Sequence, residues 1–362
     1  MISNTLEKWE EKTLGEILDK GSSNLSANKL NDCVGIYPVY GASGLIVKVN
    51  FYQQDKEYLA IIKDGAGVGR VYHYQPKTSV LGTLQYLYPK PNTNIRFAYY
   101  YLQSIDFAKY YQGAAIPHIY YRDYKSEKLV LPPLPEQERI VAKLDKAFEA
   151  IDKVKANAEQ NLNNAKELFK SALNKAFTEN TDGWEEKTLN DVSCNLDSKR
   201  IPITKNIRKT GHYPYYGASG VVDYVEDYIF DGTFLLISED GANLLMRNYP
   251  IAFSASGKFW VNNHAHILKF NELITQRFVE LYLNHINIQK YITGAAQPKL
   301  TQNNLNSIKI LFPSLSKQQK IVEKLDALQE QTKQLEAIYT QKIKECDELK
   351  QSILQKAFRG EL

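Results

Sequence analysis

Gly65-Ala-Gly67-Val-Gly69-Arg70 follows the apolar run Leu59–Ile62, where a glycine loop that cradles phosphate would sit. A dinucleotide loop also needs a helix opening behind it and a suitably placed acid, and neither pattern follows. A tight turn carrying Arg70 is the better reading. The chain has no Gly-x-x-x-x-Gly-Lys-Ser/Thr phosphate loop and no Asn/Asp-Pro-Pro-Tyr/Phe tetrapeptide of the kind that holds a flipped adenine. Glu10-Glu11-Lys12 fits half of a nuclease site and equally any charged turn. Cys33, Cys194 and Cys346 are odd in number and lack metal-ligand spacing, which predicts reduced, inert thiols. The expectation is a chain with no catalytic residues, no cofactor of its own and no metal. What remains is a set of cationic, imidazole and phenol groups suited to phosphates and base edges. Lys199, Arg200, Lys205, Arg208 and Lys209 lie within eleven residues, and His118 is followed by Tyr120 and Arg122. With Lys63, Arg70, Arg247 and Lys299, these are the candidate nucleic-acid contacts.

Those residues sit in a duplication. Residues 37–44 read YPVYGASG and residues 213–220 read YPYYGASG. Trp9-Glu-Glu-Lys-Thr-Leu14 recurs as Trp184-Glu-Glu-Lys-Thr-Leu189, and Asp64-Gly65-Ala66 as Asp240-Gly241-Ala242. Tyr111–Pro117 corresponds to Tyr291–Pro298, Leu131–Asp145 to Phe312–Asp326, and Lys175-Ala-Phe177 to Lys356-Ala-Phe358. Each copy is domain-sized, far longer than a solenoid or propeller repeat. The alignment sets His118 against Lys299. A general base would not become lysine if both halves were catalytic, so this position reads as a turn presenting a polar or cationic side chain.

In each copy, short apolar runs between turn signals predict strands at Tyr58–Ile62, Val80–Tyr86, Phe234–Ile237 and His266–Phe270. Arg96–Gln112 and Leu273–Tyr291 read as helices, giving mixed α/β domains. From Glu136 the pattern is a long polar helix with apolar residues at steps of three and four, including Leu144, Phe148, Ile151, Leu162 and Phe169. The second copy supplies Ile321, Leu325, Leu328, Leu335, Cys346 and Ile353. Spacing near 3.5 residues is the coiled-coil signature. Glu136 to Phe177 would span roughly 60 Å, so each helix needs a partner, and the other copy offers one. The expected architecture is two tandem α/β recognition domains, residues 1–133 and 181–313. Two long antiparallel helices, 134–180 and 314–362, would separate them as a pseudo-twofold dumbbell.

Paired readers related by a twofold match inverted half-sites on duplex DNA. Diverged loops on similar frames, such as Lys20–Val39 against Asn195–Tyr215, predict two different half-sequences. The formal net charge is only +4. Residues 1–133 carry 15 Lys/Arg against 12 Asp/Glu, and residues 184–313 carry 13 against 12. Such a mild field predicts a partner that supplies part of the grip on DNA. A hydrophobic share of 43% with 24% charged residues describes a soluble globular protein. With no run of about 18 apolar residues and no apolar core in MISNTLEKWEEK, the expected location is cytoplasmic, with no membrane partner.

Taken together, Leu-Pro-Pro-Leu-Pro-Glu-Gln-Glu-Arg-Ile-Val, its echo at 312–322, the paired Trp-x-x-x-x-Leu starts, the YGASG turns and the terminal Lys-Ala-Phe-Arg-Gly-Glu-Leu362 resemble one family. It is the specificity (S) subunit of type I restriction-modification systems. The resemblance implies two target-recognition domains that each read half of a bipartite site in double-stranded DNA, and helices that act as a ruler. It implies docking of two modification subunits that bind S-adenosylmethionine and methylate adenine N6. Where restriction subunits join, ATP and Mg would drive cleavage. A subunit of a methylation-only or phase-variable system shares all these motifs. A self-sufficient methyltransferase or nuclease lacks its motif here, and a structural coiled-coil adaptor leaves two diverged domains without a purpose. The second Leu-Pro-Pro-Leu-Pro-Glu-Gln has become Phe312-Pro-Ser-Leu-Ser-Lys-Gln318, which predicts a less rigid second junction.

Overall fold

The structure, a computed structural model, describes residues 9–30, 34–113, 116–179, 181–294 and 296–362. Cys33, Ala114, Ala115 and Ala295 lie outside the described residues. The chain divides into two compact units: Met1–Glu159 with Gln341–Leu362, and Gln160–Thr340. Each unit holds one copy of the mixed α/β domain and a stretch of both long helices, Leu134–Thr178 and Leu315–Phe358.

In the first unit, strands β1 (Glu10–Thr13) and β9 (Lys128–Leu131) pair and close the ends of the domain. Strands β2 (Leu18–Ser22), β8 (Leu84–Pro89), β5 (Tyr58–Ile62) and β6 (Val71–Tyr74) form an antiparallel sheet. Strands β4 (Gly44–Val49), β3 (Tyr37–Gly41) and β7 (Ser79–Val80) form a second sheet. All five residues of β5 are buried, as expected of a central strand covered on both faces.

The second unit repeats this with one change. Its β10 (Glu185–Thr188) pairs with β19 (Lys309–Phe312). Strands β17 (Ile292–Thr293) and β18 (Lys299–Leu300) pair with each other, and the others form a continuous six-stranded sheet, ordered β11 (Cys194–Asn195), β16 (Ala265–Lys269), β14 (Phe230–Ser238), β15 (Ala252–Val261), β12 (Thr210–Gly217) and β13 (Gly220–Val225). The long β15 joins what β6 and β7 leave apart. Pro76, which lacks an N–H for the ladder, and Lys77 at φ 61° interrupt the first copy at the corresponding place. The expected strand Val80–Tyr86 is likewise two strands, broken at Leu81–Thr83 where Gly82 N–H donates to Leu25 O.

The repeated YGASG is the turn of the β3–β4 and β12–β13 hairpins. Its two glycines do different work. A Cβ on Gly41 would meet Ile46 at 3.0 Å, and one on Gly217 would meet Val222 at 3.0 Å. Gly44 and Gly220 adopt φ of 105° and 120°, a region other residues rarely enter. Both hairpins carry a bulge one step before the turn, between Val39 and Tyr40 and between Tyr215 and Tyr216.

The helices predicted over Arg96–Gln112 and Leu273–Tyr291 are shorter, Ile95–Ser104 and Leu273–His285. The backbone is extended at Ile105 and Ile286. Asp106 and Asn287 then accept from the N–H of Ala108 and Gln289 and open a separate 3₁₀ turn.

Each short helix is tied to the long one beside it. Arg96 contacts Asp145, and Arg277 donates to Asp326 at 2.7 and 2.9 Å. Gln137, fully buried, donates to Pro132 O and Asn92 O and accepts from Asn94 N–H. Gln318 donates to Pro313 O and accepts from Thr275 Oγ1. The glutamine of the Pro-rich motif thus supplies hydrogen bonds at the junction, and the copy with fewer prolines keeps it. Arg277→Ala, which strands Asp326 and the buried Glu280, is expected to cost about 1–3 kcal/mol, measured as a shift in the denaturant midpoint.

Within the first unit the two helix stretches run antiparallel. Lys350 pairs with Asp152 at 2.5 Å and Asp347 with Lys155 at 2.7 Å, so forward steps on one helix are backward steps on the other. Leu144, Phe148 and Ile151 share one buried cluster with Cys346, Leu354 and Ala357, with Ile353 at its margin. In the second unit Leu173 and Phe177 cluster with Val322 and Leu325, with Phe169 and Ile321 at the margin. Leu162, Leu328 and Leu335 are only half-buried, whereas Val322, Leu354 and Ala357, absent from the expected seam, are buried.

Candidate nucleic-acid interface

The loop leaving β5 and the loop leaving β14 are held in the same way. Lys63 N–H donates to Thr83 O, and Glu239 N–H to His264 O, both at 2.9 Å. Lys63 O accepts from Ile119 N–H at 2.9 Å, and Glu239 O from Leu300 N–H at 2.8 Å. Gly65 N–H donates to Pro117 O, and Gly241 N–H to Pro298 O, both at 3.0 Å. Asp64 bridges His118, and Asp240 bridges Lys299. Three separate stretches of sequence therefore converge on one edge in each unit, and the same three backbone hydrogen bonds recur with lengths that agree within 0.1 Å. The hairpin turn joins them in the second unit, where Ser238 Oγ–H donates to Ala218 O at 2.5 Å.

The side chains on this frame differ. In the first unit Lys63 pairs with Asp64 at 3.2 Å. His118 packs edge-on to the exposed Tyr120, ring centres 5.0 Å apart, and Arg122 lies over the same ring at 4.6 Å. His118, Tyr120 and Arg122 are thus gathered on one surface, with Lys63 on the neighbouring loop. Arg70, also exposed, folds back over its own turn toward Gly67 O. Gly65, Gly67 and Gly69 all have φ near 85–89°, which makes this a tight turn. It is not a phosphate loop opening a helix.

In the second unit the exposed Lys299 contacts Glu239 at 3.2 Å, and His264 contacts Asp240 at 2.9 Å. Three arginines of the candidate set are engaged within the domain. Arg200 Nη1 donates to Glu239 Oε2 and Ala265 O, both at 2.7 Å. Arg208 bonds Ile203 O and Asp223 and covers the Tyr215 ring. Arg247 donates to Leu283 O and Ile286 O, filling carbonyls that the end of the helix Leu273–His285 leaves open. Its guanidinium pKa is lowered by burial. Lys199, Lys205 and Lys209 remain exposed, with Lys209 3.3 Å from Glu226.

Beneath this edge lies a buried group that the sequence did not suggest. His266 Nδ1 is 2.5 Å from Asp197 and 3.7 Å from Glu239, and Nε2–H donates to Leu300 O at 2.7 Å. Asp197, Glu239 and His266 could together ligate a metal ion. Arg200, however, already contacts both carboxylates, and Lys299 takes a further Glu239 oxygen. Cationic side chains occupy the ligand atoms that an ion would need. Burial alone would raise the Asp197 carboxyl. The hydrogen bond and charge of His266, the Ile267 N–H and Arg200 outweigh it and hold the group below the usual range. A depressed folded pKa adds stability above the unfolded value of about 3.9, which is lost as pH falls through the folded value. Stability should therefore fall steeply below about pH 4, and Asp197→Asn should weaken the protein at pH 7 and flatten that slope, read by denaturation across pH 2–7.

The family profile for the type I restriction modification DNA specificity domain matches residues 6–164 and again 181–345. The chain belongs to that family. Both convergent edges fall inside the matched segments, one in each. A Haemophilus influenzae protein named as a type I restriction enzyme specificity subunit is 42% identical over 144 residues, 40% of this chain and 37% of its own length. This chain thus spans little more than a third of that relative. The type I restriction enzyme EcoDI specificity subunit of Escherichia coli is 22% identical over 402 residues, covering 98% of this chain and 88% of that one. A solved chain from a study of complex assembly and conformational transition of the type I restriction-modification system covers 98% of each chain, with TM-score 0.74 and 18% identity. That likeness is one of fold. Among the described residues of this specificity-family chain, no helix is long and apolar enough to cross a membrane.

Proposed function

We propose that the chain reads a bipartite, asymmetric sequence in double-stranded DNA, one half with each unit. Its long helices set the spacing of the halves and dock two modification subunits. In this reading the chain does no chemistry. The modification subunits bind S-adenosylmethionine and methylate adenine N6, and any restriction subunits supply ATP- and Mg-dependent cleavage, all in the cytoplasm. The observation that carries it is the repeated edge, where one backbone frame presents Lys63, His118 and Tyr120 in one copy and, over the enclosed Glu239, His264 and Lys299 in the other. A frame kept twice with different side chains is what two readers of two sequences require.

The exposed cations away from that edge suit phosphates. Lys205→Ala with Lys209→Ala should weaken DNA binding by the assembled complex about equally on all sequences and lower the salt slope by about 1–2. Titration against salt on target and unrelated duplexes checks this, and a loss confined to the target would contradict it.

A further inference from the structure

Sheet register fixes which side chains are equivalent beneath the two edges. Gln85 faces Ile61 in the first unit, and His266 faces Ile237 in the second. One residue beyond the buried strand stand Lys63 and Glu239. The first copy is built from modest interactions here: Gln85 donates to Gly21 O at 2.7 Å, and Lys63 pairs with its neighbour Asp64. The second copy reverses the charge. Glu239, its side chain 12% exposed, is shared by Arg200 at 2.7 Å and Lys299 at 3.2 Å, with His266 3.7 Å away. Glu239 is too enclosed to meet DNA itself. Lys299, 50% exposed, is the member of the group that can.

A free lysine on a flexible stem neutralises phosphate without regard to sequence, whereas one whose ammonium is fixed can be aimed at a base edge. We infer that Glu239 is a positioning residue that determines specificity: it fixes the Lys299 ammonium for a base-edge acceptor, of the kind guanine O6 and N7 offer, in the half-site read by the second unit. Lys63, the cation at the equivalent position, does its own reading in the first. The inference rests on the proposed reading that these edges face DNA.

The test uses the full chain co-expressed with its modification subunits in a host without other adenine methylation, with the methylated motif read by single-molecule sequencing. Glu239→Gln should make one position of the second half degenerate, with discrimination there falling roughly 5- to 100-fold, and leave the first half intact. Glu239→Asp should restore the motif at least in part. An unchanged motif with Glu239→Gln, or an equal decline of both halves without new degeneracy, overturns the inference, since either outcome leaves Glu239 at most a structural role. Lys299→Ala separates the two levels. If it degrades the second half while Glu239→Gln does not, only the role of Glu239 fails. If it too leaves the motif untouched, the reading that this edge faces DNA fails.

Discussion

Exchanging residues 1–133 for the corresponding domain of another family member should replace one half of the methylated sequence and leave the other unaltered. The first edge is assembled wholly within that span, from the loop after β5, Thr83 and the stretch Pro117–Arg122. The second edge is assembled within residues 199–300. The exchange keeps the β1–β9 pairing and, if Arg96 is retained, its contact with Asp145, so the junction to the long helix survives. Sequencing of methylated DNA reports both halves at once. A change in both would mean that the two edges do not read independently.

The second large effect concerns stability. Phe148 is buried between the Tyr100 ring, 5.3 Å away and edge-on, and the Lys350 ammonium over its face at 5.3 Å. Phe148→Ala should cost about 3–5 kcal/mol, combining lost transfer energy with the cavity it opens. Lys155→Ala, which removes a solvent-accessible ion pair with Asp347, its lysine half-buried, between the same two helix stretches, should cost less than about 1 kcal/mol. Apolar packing therefore decides the pairing of the helices, and the ion pairs set register. Denaturation midpoints of the two variants check this, and a Lys155→Ala cost equal to that of Phe148→Ala would refute it.

Much of this organisation was legible because duplication acts as an internal control. YGASG, Asp-Gly-Ala and the Pro-rich motif each mark a place where geometry is held twice: a turn glycine at φ above 100°, a loop pinned by Pro117 or Pro298, and a glutamine filling the junction. Residues used only once were harder to read. Arg200, Arg208 and Arg247 look in sequence like free cations on loops. What engages them is far along the chain: Glu239, Asp223 and the carbonyls of Leu283 and Ile286. Asp197 and His266 are 69 residues apart, so their contact depends on the sheet register that brings β11 beside β16. The seam between the long helices was misplaced in part because a 3.5-residue spacing fits several neighbouring stripes. Val322 and Leu354, each adjacent in sequence to an expected seam residue, are the buried ones.

Single-molecule sequencing of DNA from cells carrying this chain and its modification subunits tests the central claim most directly. The account predicts a bipartite motif with N6-methyladenine on opposite strands in its two halves, lost when the chain is deleted. Methylation of a single contiguous motif, or methylation that persists without the chain, would contradict it.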